Sequence, residues 1–181
     1  LLQPQITGRK TVRRVMTALG CETEGKAMDL KVLLPKEHVL FGLPLNISRR
    51  ELLRMLSEPL AKDGAIDDIE VFLDAVERRE AEMSTQMNGG TVFPHASSAT
   101  VQCLAITVGM APEPGFPFDP DADEKGRVFF LIAIPAAAPA AHLPLLTHLA
   151  GFITAKGKLE KLLQADSAAA VHKMLLAWTG K

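Results

Sequence analysis

The sequence predicts an α/β fold, a sandwich of layers with the strands inside. Three observations carry that expectation. Residues 128–134 form an unbroken apolar run rich in strand-forming side chains. Helix signals lie both before and after it, so strands alternate with helices along the chain. Apolar residues make up 48% of the 181-residue chain, enough to bury a core and too many for wholesale disorder.

The elements follow in order. Residues 1–27 read as a linker or the end of an upstream segment, with one helical piece over 11–19 closed by Gly20. They carry Arg9, Lys10, Arg13 and Arg14 without a following apolar stretch, which excludes a signal peptide. The chain begins with Leu1, as expected of a processed or excised piece, and Met28 reads as the start of the domain, 28–181. Short apolar stretches at 30–34 and 38–45 suit strands or extended segments. Ser48 and Glu51 are spaced as a capping box and open a helix over 49–62 that stops near Gly64. A second helix is expected over 67–83. Strands follow at 91–93 and 100–108, then a proline-rich loop over 111–126, then the strand 128–134. Helices over 140–155, 158–164 and 167–178 close the chain. No internal repeat is visible.

Composition excludes several functions. Twenty basic and 21 acidic residues give a net charge of −1, which offers no footprint for nucleic acid or an anionic membrane. Residues 128–155 lack Asp, Glu, Lys and Arg, but Pro135, Pro139 and Pro144 break the segment, so a strand, a turn and a core-packed helix are expected in place of a membrane span. Cys21 and Cys103 are far apart and fit no CxxC pattern; a disulfide scaffold is not expected, and a reducing, cytoplasmic setting is. The acidic stretch from Asp119 to Glu124 lacks the glycine and the bidentate glutamate of a calcium loop and reads as solvated. The five histidines show no zinc-binding spacing, so no metal is expected.

His95 stands apart from the other histidines. Gly89 and Gly90 permit an unusual turn, residues 91–93 make a short strand, and Pro94 fixes the backbone just before the ring. Small residues follow, from Ala96 to Ala99. This presents an imidazole at a strand end with open space around it. At about 100° per residue, Phe72, Val76 and Met83 share one helical stripe, and Arg79 falls inside it. An arginine there either pairs structurally with Glu80 or reaches an anion at the sheet edge, to which its planar, permanently charged fork is suited. His142 opens the helix after the Pro135 turn and offers a second imidazole, at a helix end that favours anions. A neutral imidazole is a good nucleophile near neutral pH, and phosphoryl transfer asks the protein mainly to position groups and neutralise charge.

Together these residues resemble the enzyme IIA domain of the bacterial phosphoenolpyruvate-dependent phosphotransferase system, of the fructose–mannitol and nitrogen-regulatory type. Arg79-Glu80, Ser84-Thr85 and the run from Gly89 to Ala96 match its RE-x3-ST, Gly-rich turn and GIAIPHA pattern. The strand 128–135 and His142-Leu143 match a second block. The resemblance spans about residues 28–178; Thr91-Val92-Phe93, Asn88, Pro144 and the alanines before His142 depart from the usual pattern. It implies a three-layer sandwich, a mixed β-sheet with helices on both faces. It implies that His95 accepts a phosphoryl group, on Nε2, from the histidine phosphocarrier HPr. The group then passes to an enzyme IIB domain or serves as a regulatory signal to a membrane transporter or kinase. It implies that Arg79 and His142 stabilise the phosphoryl oxygens, with no cofactor or metal. A domain that has lost its chemistry is the contrasting reading, and the joint presence of His95, Arg79 and His142 argues against it.

Overall fold

A computed structural model describes residues 29–180. In chain order these contain α1 (Leu30–Leu33), a 3-10 turn (Lys36–His38), β1 (Val39–Phe41), α2 (Arg49–Lys62) and α3 (Ile69–Glu82). Then come β2 (Gln86–Met87), β3 (Thr91–Val92), β4 (His95–Ser98), β5 (Ala105–Met110) and β6 (Val128–Pro135). The last elements are α4 (Leu143–Thr154), α5 (Lys158–Leu163) and α6 (Ala168–Leu176). The linker and the helix expected over 11–19 lie outside the described residues.

The six strands form one mixed sheet in the order β1-β5-β6-β3-β2, with β4 also paired to β6. β1 runs parallel to β5, and β3 and β4 run parallel to β6. β5 runs antiparallel to β6, and β2 to β3. β6 alternates its side chains between two cores, as a strand buried on both faces must. Phe129, Leu131 and Ala133 pack with Leu52, Leu56, Phe72 and Val76 of α2 and α3. Val128, Phe130, Ile132 and Ile134 pack with Leu145, Leu149, Leu162 and Val171 of α4 to α6. The result is the three-layer α/β sandwich with helices on both faces of a mixed sheet.

Local chemistry sets the helix bounds. Ser48 Oγ accepts from the Glu51 amide at 3.2 Å, and the Glu51 carboxylate accepts from the Ser48 amide at 2.7 Å, completing the capping box. Asp68 caps α3 by accepting from the Val71 amide. Arg50 ties the two helices together through Glu70, Asp74 and Glu77.

Four expectations change. Residues 30–33 form one helical turn, because the Asp29 side chain caps the Lys31 amide and starts a helix there. The strand expected at 100–108 runs instead over Ala105–Met110. Its first residues are spent on a turn, in which the Ser98 hydroxyl accepts from the Thr100 amide and Val101 bridges to Ile66. The segment after Pro94 is itself a strand, β4, held by Ile132, Ala133, Ile134 and Pro135 of β6. Cys103 is not a free thiol, against the expectation of reduced cysteines, and Cys21 lies outside the described residues. The uncharged segment after residue 128 divides into β6 and α4, and no helix among the described residues is long and apolar enough to cross a membrane.

Gly109 marks the closest approach of α2 to the sheet. A Cβ there would lie 2.6 Å from Leu56 Cδ2 and 2.7 Å from Leu43 Cδ1. Gly109→Val should therefore lower stability by about 1–3 kcal/mol through overpacking, read as a reduced midpoint in urea unfolding with the slope unchanged.

Candidate active site

The site grows from a break in a strand. β3 and β4 lie along successive stretches of β6, Thr91 opposite Val128 and His95 opposite Ile132. Between them stand Phe93 and Pro94. Proline has no amide hydrogen to give to a ladder, so pairing is interrupted there. Phe93 is held by its ring, stacked on Phe130 with centroids 5.0 Å apart, and by its amide, which donates to the Thr85 carbonyl at 3.2 Å. Its carbonyl accepts from Nδ1 of His95 at 2.8 Å.

That hydrogen bond fixes the His95 tautomer. A carbonyl oxygen only accepts, so Nδ1 carries the hydrogen and Nε2 of the neutral ring carries the lone pair. His95 pairs with Ile132, which faces the core beneath α4, and the His95 ring lies on that same side of the sheet. There it meets His142. The two imidazoles stack with centroids 5.6 Å apart and planes 26° from parallel. His142 precedes α4, and its Nδ1 donates to the Pro139 carbonyl at 2.9 Å. Both rings are thus oriented through the same nitrogen by backbone carbonyls.

Charge around His95 favours the neutral ring. Burial is the largest influence and pushes its pKa below the ordinary value. The Phe93 carbonyl opposes this, Arg79 and His142 push further down, and Glu80 pulls back up. Among the described residues no metal-holding group of three or more His, Cys, Asp or Glu side chains is present.

Arg79 is half-exposed, near enough for its charge to act on His95, and its Nη1 donates to the Met83 carbonyl at 2.8 Å. It makes no ion pair among the described residues. The buried face of α3 is Phe72, Leu73, Val76 and Glu80, and Met83, just past the helix end, is 71% exposed. The stripe expected around Arg79 is therefore rotated by one residue. Glu80 goes inside, where the amide and hydroxyl of Thr85 bond its carboxylate. The structural Arg79–Glu80 pair does not form.

The acidic loop is also not free in solvent. Gly89 and Gly90 take φ of 79° and 68°, a left-handed pair whose amides converge as an anion nest. Glu124 fills it, accepting from Gly89 at 2.6 Å and Gly90 at 3.1 Å. Ser84 bonds Asp119 and holds its carboxyl below the ordinary range. Gln86 reaches the same loop through Glu124 and Asp119. The loop clamps the turn that leads to His95. Residue types hint at Glu80 and Thr85, five apart in the motif. Nothing in side-chain identity points to the Phe93 and Pro139 carbonyls.

Comparison with known proteins shows the family and the fold. Residues 32–178 match the family described as phosphoenolpyruvate-dependent sugar phosphotransferase system, EIIA 2. The chain is 31% identical over 147 residues to the PTS system fructose-specific EIIA component of Haloferax volcanii, covering 81% of this chain and 94% of that one. The crystal structure of nitrogen regulatory protein IIA-Ntr from Neisseria meningitidis superposes with a TM-score of 0.70 at 25% identity, covering 81% of this chain and 98% of that chain. The Escherichia coli complex of enzyme IIAMTL and phosphorylated enzyme IIBMTL gives a TM-score of 0.65 at 22% identity, covering 78% and 96%, a likeness of fold. A mixed-sheet sandwich of this kind belongs to the components of the phosphoenolpyruvate-dependent phosphotransferase system. The chain is a member of the EIIA 2 family.

The burial of His95 has a measurable sign. Its folded pKa lies below the unfolded value near 6.5, so the unfolded chain binds the proton first. The His95 contribution to stability is fully present above that value and is lost as pH falls through it. A histidine NMR titration should place the His95 midpoint below 6.5. A midpoint at or above it would refute the neutral-ring assignment.

Proposed function

We propose that the chain is a phosphocarrier in which Nε2 of His95 takes a phosphoryl group from the histidine phosphocarrier HPr and passes it to an enzyme IIB partner. The observation that carries this reading is the hydrogen bond from Nδ1 to the Phe93 carbonyl. It leaves Nε2 as the nucleophile on a half-buried, neutral ring. As the bond from Nε2 to phosphorus forms, the P–N bond to the donor imidazole breaks and the donor ring leaves with the electron pair. The phosphorylated His95 ring is then cationic, with Nδ1–H still donating to Phe93. A cationic ring is a good leaving group, so the same bond supports onward transfer.

Arg79 and His142 serve the transferred group. Arg79 has guanidinium N–H groups free of any carboxylate among the described residues and supplies fixed positive charge. His142, with Nδ1 committed to Pro139, donates from its other ring nitrogen only as imidazolium. The domain spans residues 28–181, with 1–27 a linker or the end of an upstream segment, and acts in the cytoplasm, the setting of the carriers it resembles. The likeness to nitrogen regulatory protein IIA-Ntr supports a second reading. In it the phosphorylated state of His95 is a signal to a partner membrane transporter or kinase.

Incubation with phosphoenolpyruvate, enzyme I and HPr should add one acid-labile phosphoryl group, and His95→Ala should abolish it. Label retained by that variant would sink the assignment. Arg79→Ala should slow acceptance by an order of magnitude or more, at least about 1.4 kcal/mol of transition-state stabilisation, with circular dichroism unchanged. An unfolded or destabilised variant with an unaltered rate per folded molecule would make Arg79 structural.

His142→Ala should still accept the group but release it or hold it abnormally, because the nucleophile itself is untouched. Hydrolysis half-life of the phosphorylated variant measures this, and a half-life equal to the parent's would remove His142 from the site.

A further inference from the structure

We propose that Glu80 is a positioning residue for His95, acting through Thr85 and Phe93. The inference rests on the reading of His95 as the phosphoryl acceptor, but its geometry stands without it. Glu80 is 6% exposed, and a carboxylate so placed is costly unless hydrogen bonds or an ion pair compensate. It has no ion pair among the described residues, although Arg79 is its neighbour in sequence. Its oxygens are spent on one residue. Oε2 accepts from the Thr85 amide at 3.0 Å, and Oε1 accepts from the Thr85 hydroxyl.

From Thr85 the chain of bonds continues to the ring. The Thr85 carbonyl accepts from the Phe93 amide at 3.2 Å, and the Phe93 carbonyl accepts from Nδ1 of His95 at 2.8 Å. Four hydrogen bonds therefore run from a buried carboxylate on α3 to the nitrogen that sets the His95 tautomer. Thr85 lies past the end of α3, so these bonds do not cap the helix; they fasten the start of the β2–β3 turn to it. Gln86 opposes Val92 in the antiparallel β2–β3 pair, and the Thr85–Phe93 bond carries that register one residue further, up to the Pro94 step. The Phe93 amide and carbonyl belong to successive peptides joined at one Cα, so a displacement of Phe93 would move its carbonyl away from Nδ1 and let the ring change tautomer, placing hydrogen on the atom that must attack.

Glu80 also acts by charge. The groups that bear on His95 are Arg79 from α3, His142 from the turn before α4, and Glu80 itself. Arg79 and His142 oppose protonation of the ring, and Glu80 favours it. Glu80 thus steadies the positive charge that the ring acquires when it is phosphorylated.

The test is long-range proton–nitrogen NMR on chains with 15N-labelled histidine, paired with the rate of phosphoryl acceptance from HPr. In the parent chain His95 should be predominantly the Nδ1–H tautomer. Glu80→Gln leaves one oxygen for two Thr85 donors. It should raise the share of the other His95 tautomer, move the His95 titration midpoint further down, and slow acceptance about tenfold. Thr85→Val keeps the amide bond and the Glu80 charge and loses the hydroxyl, and should give the tautomer and rate changes at smaller size without the downward move of the midpoint. A folded Glu80→Gln chain with the parent's His95 tautomer and rate would overturn the proposal. Should that variant fail to fold, Thr85→Val decides by the same readouts, and parent values in it overturn the proposal equally. If the parent chain accepts no phosphoryl group, the carrier reading fails, while the tautomer comparison still decides the role of Glu80.

Discussion

Between β3 and β4 the backbone passes through Phe93 and Pro94, and how that step is held determines what His95 can do. Proline gives no amide hydrogen to the ladder, and the residue before it is held from three directions. The Phe93 ring stacks on Phe130 of the central strand, its amide reaches Thr85, and its carbonyl takes the His95 hydrogen. Each contact comes from a different part of the chain. The imidazole is therefore oriented by the whole upper end of the sheet, and no single loop could do this alone.

The two layers of helices divide the work. α2 and α3 press on one face of β6 and bring Arg79 and Glu80 to the end of the sheet. α4 to α6 press on the other, and the turn that opens α4 delivers His142. The His95 ring sits where both layers meet. A mixed sheet makes this possible, because β3 and β4 enter parallel to β6 from one side while β5 returns antiparallel on the other. The neutral His95, one fixed arginine charge and a second imidazole suit a group that must be taken up and released in turn.

Much of this was legible in residue types. The capping box at Ser48 and Glu51 and the apolar run of β6 each carry a local physical signature, and each appears where it was expected; the open space expected around His95 does not, since β4 begins at that residue and its ring stacks on His142. The helical stripe was harder. Phe72, Val76 and Met83 define a face that includes Arg79, yet α3 ends at Glu82 and Met83 turns outward, so the buried row runs 72, 76, 80 instead. One residue of helix length decides which of two adjacent charges is buried. The acidic loop was unreadable for another reason. Charges look solvated when their partners are backbone amides far along the chain, as Gly89 and Gly90 are for Glu124. The carbonyls that orient the two rings have no signature in sequence, since every residue has one.

The Gly89–Gly90 turn has a chemical consequence of its own. Converging amides on two left-handed glycines are a grip for anions, and phosphate is the anion such a cradle most readily holds. Here the protein answers that grip with its own side chain, since Glu124 is covalently part of the chain and so always at hand. A phosphate ester arriving at this end of the sheet meets a cradle already taken. The chain has, in effect, closed this cradle with a carboxylate of its own.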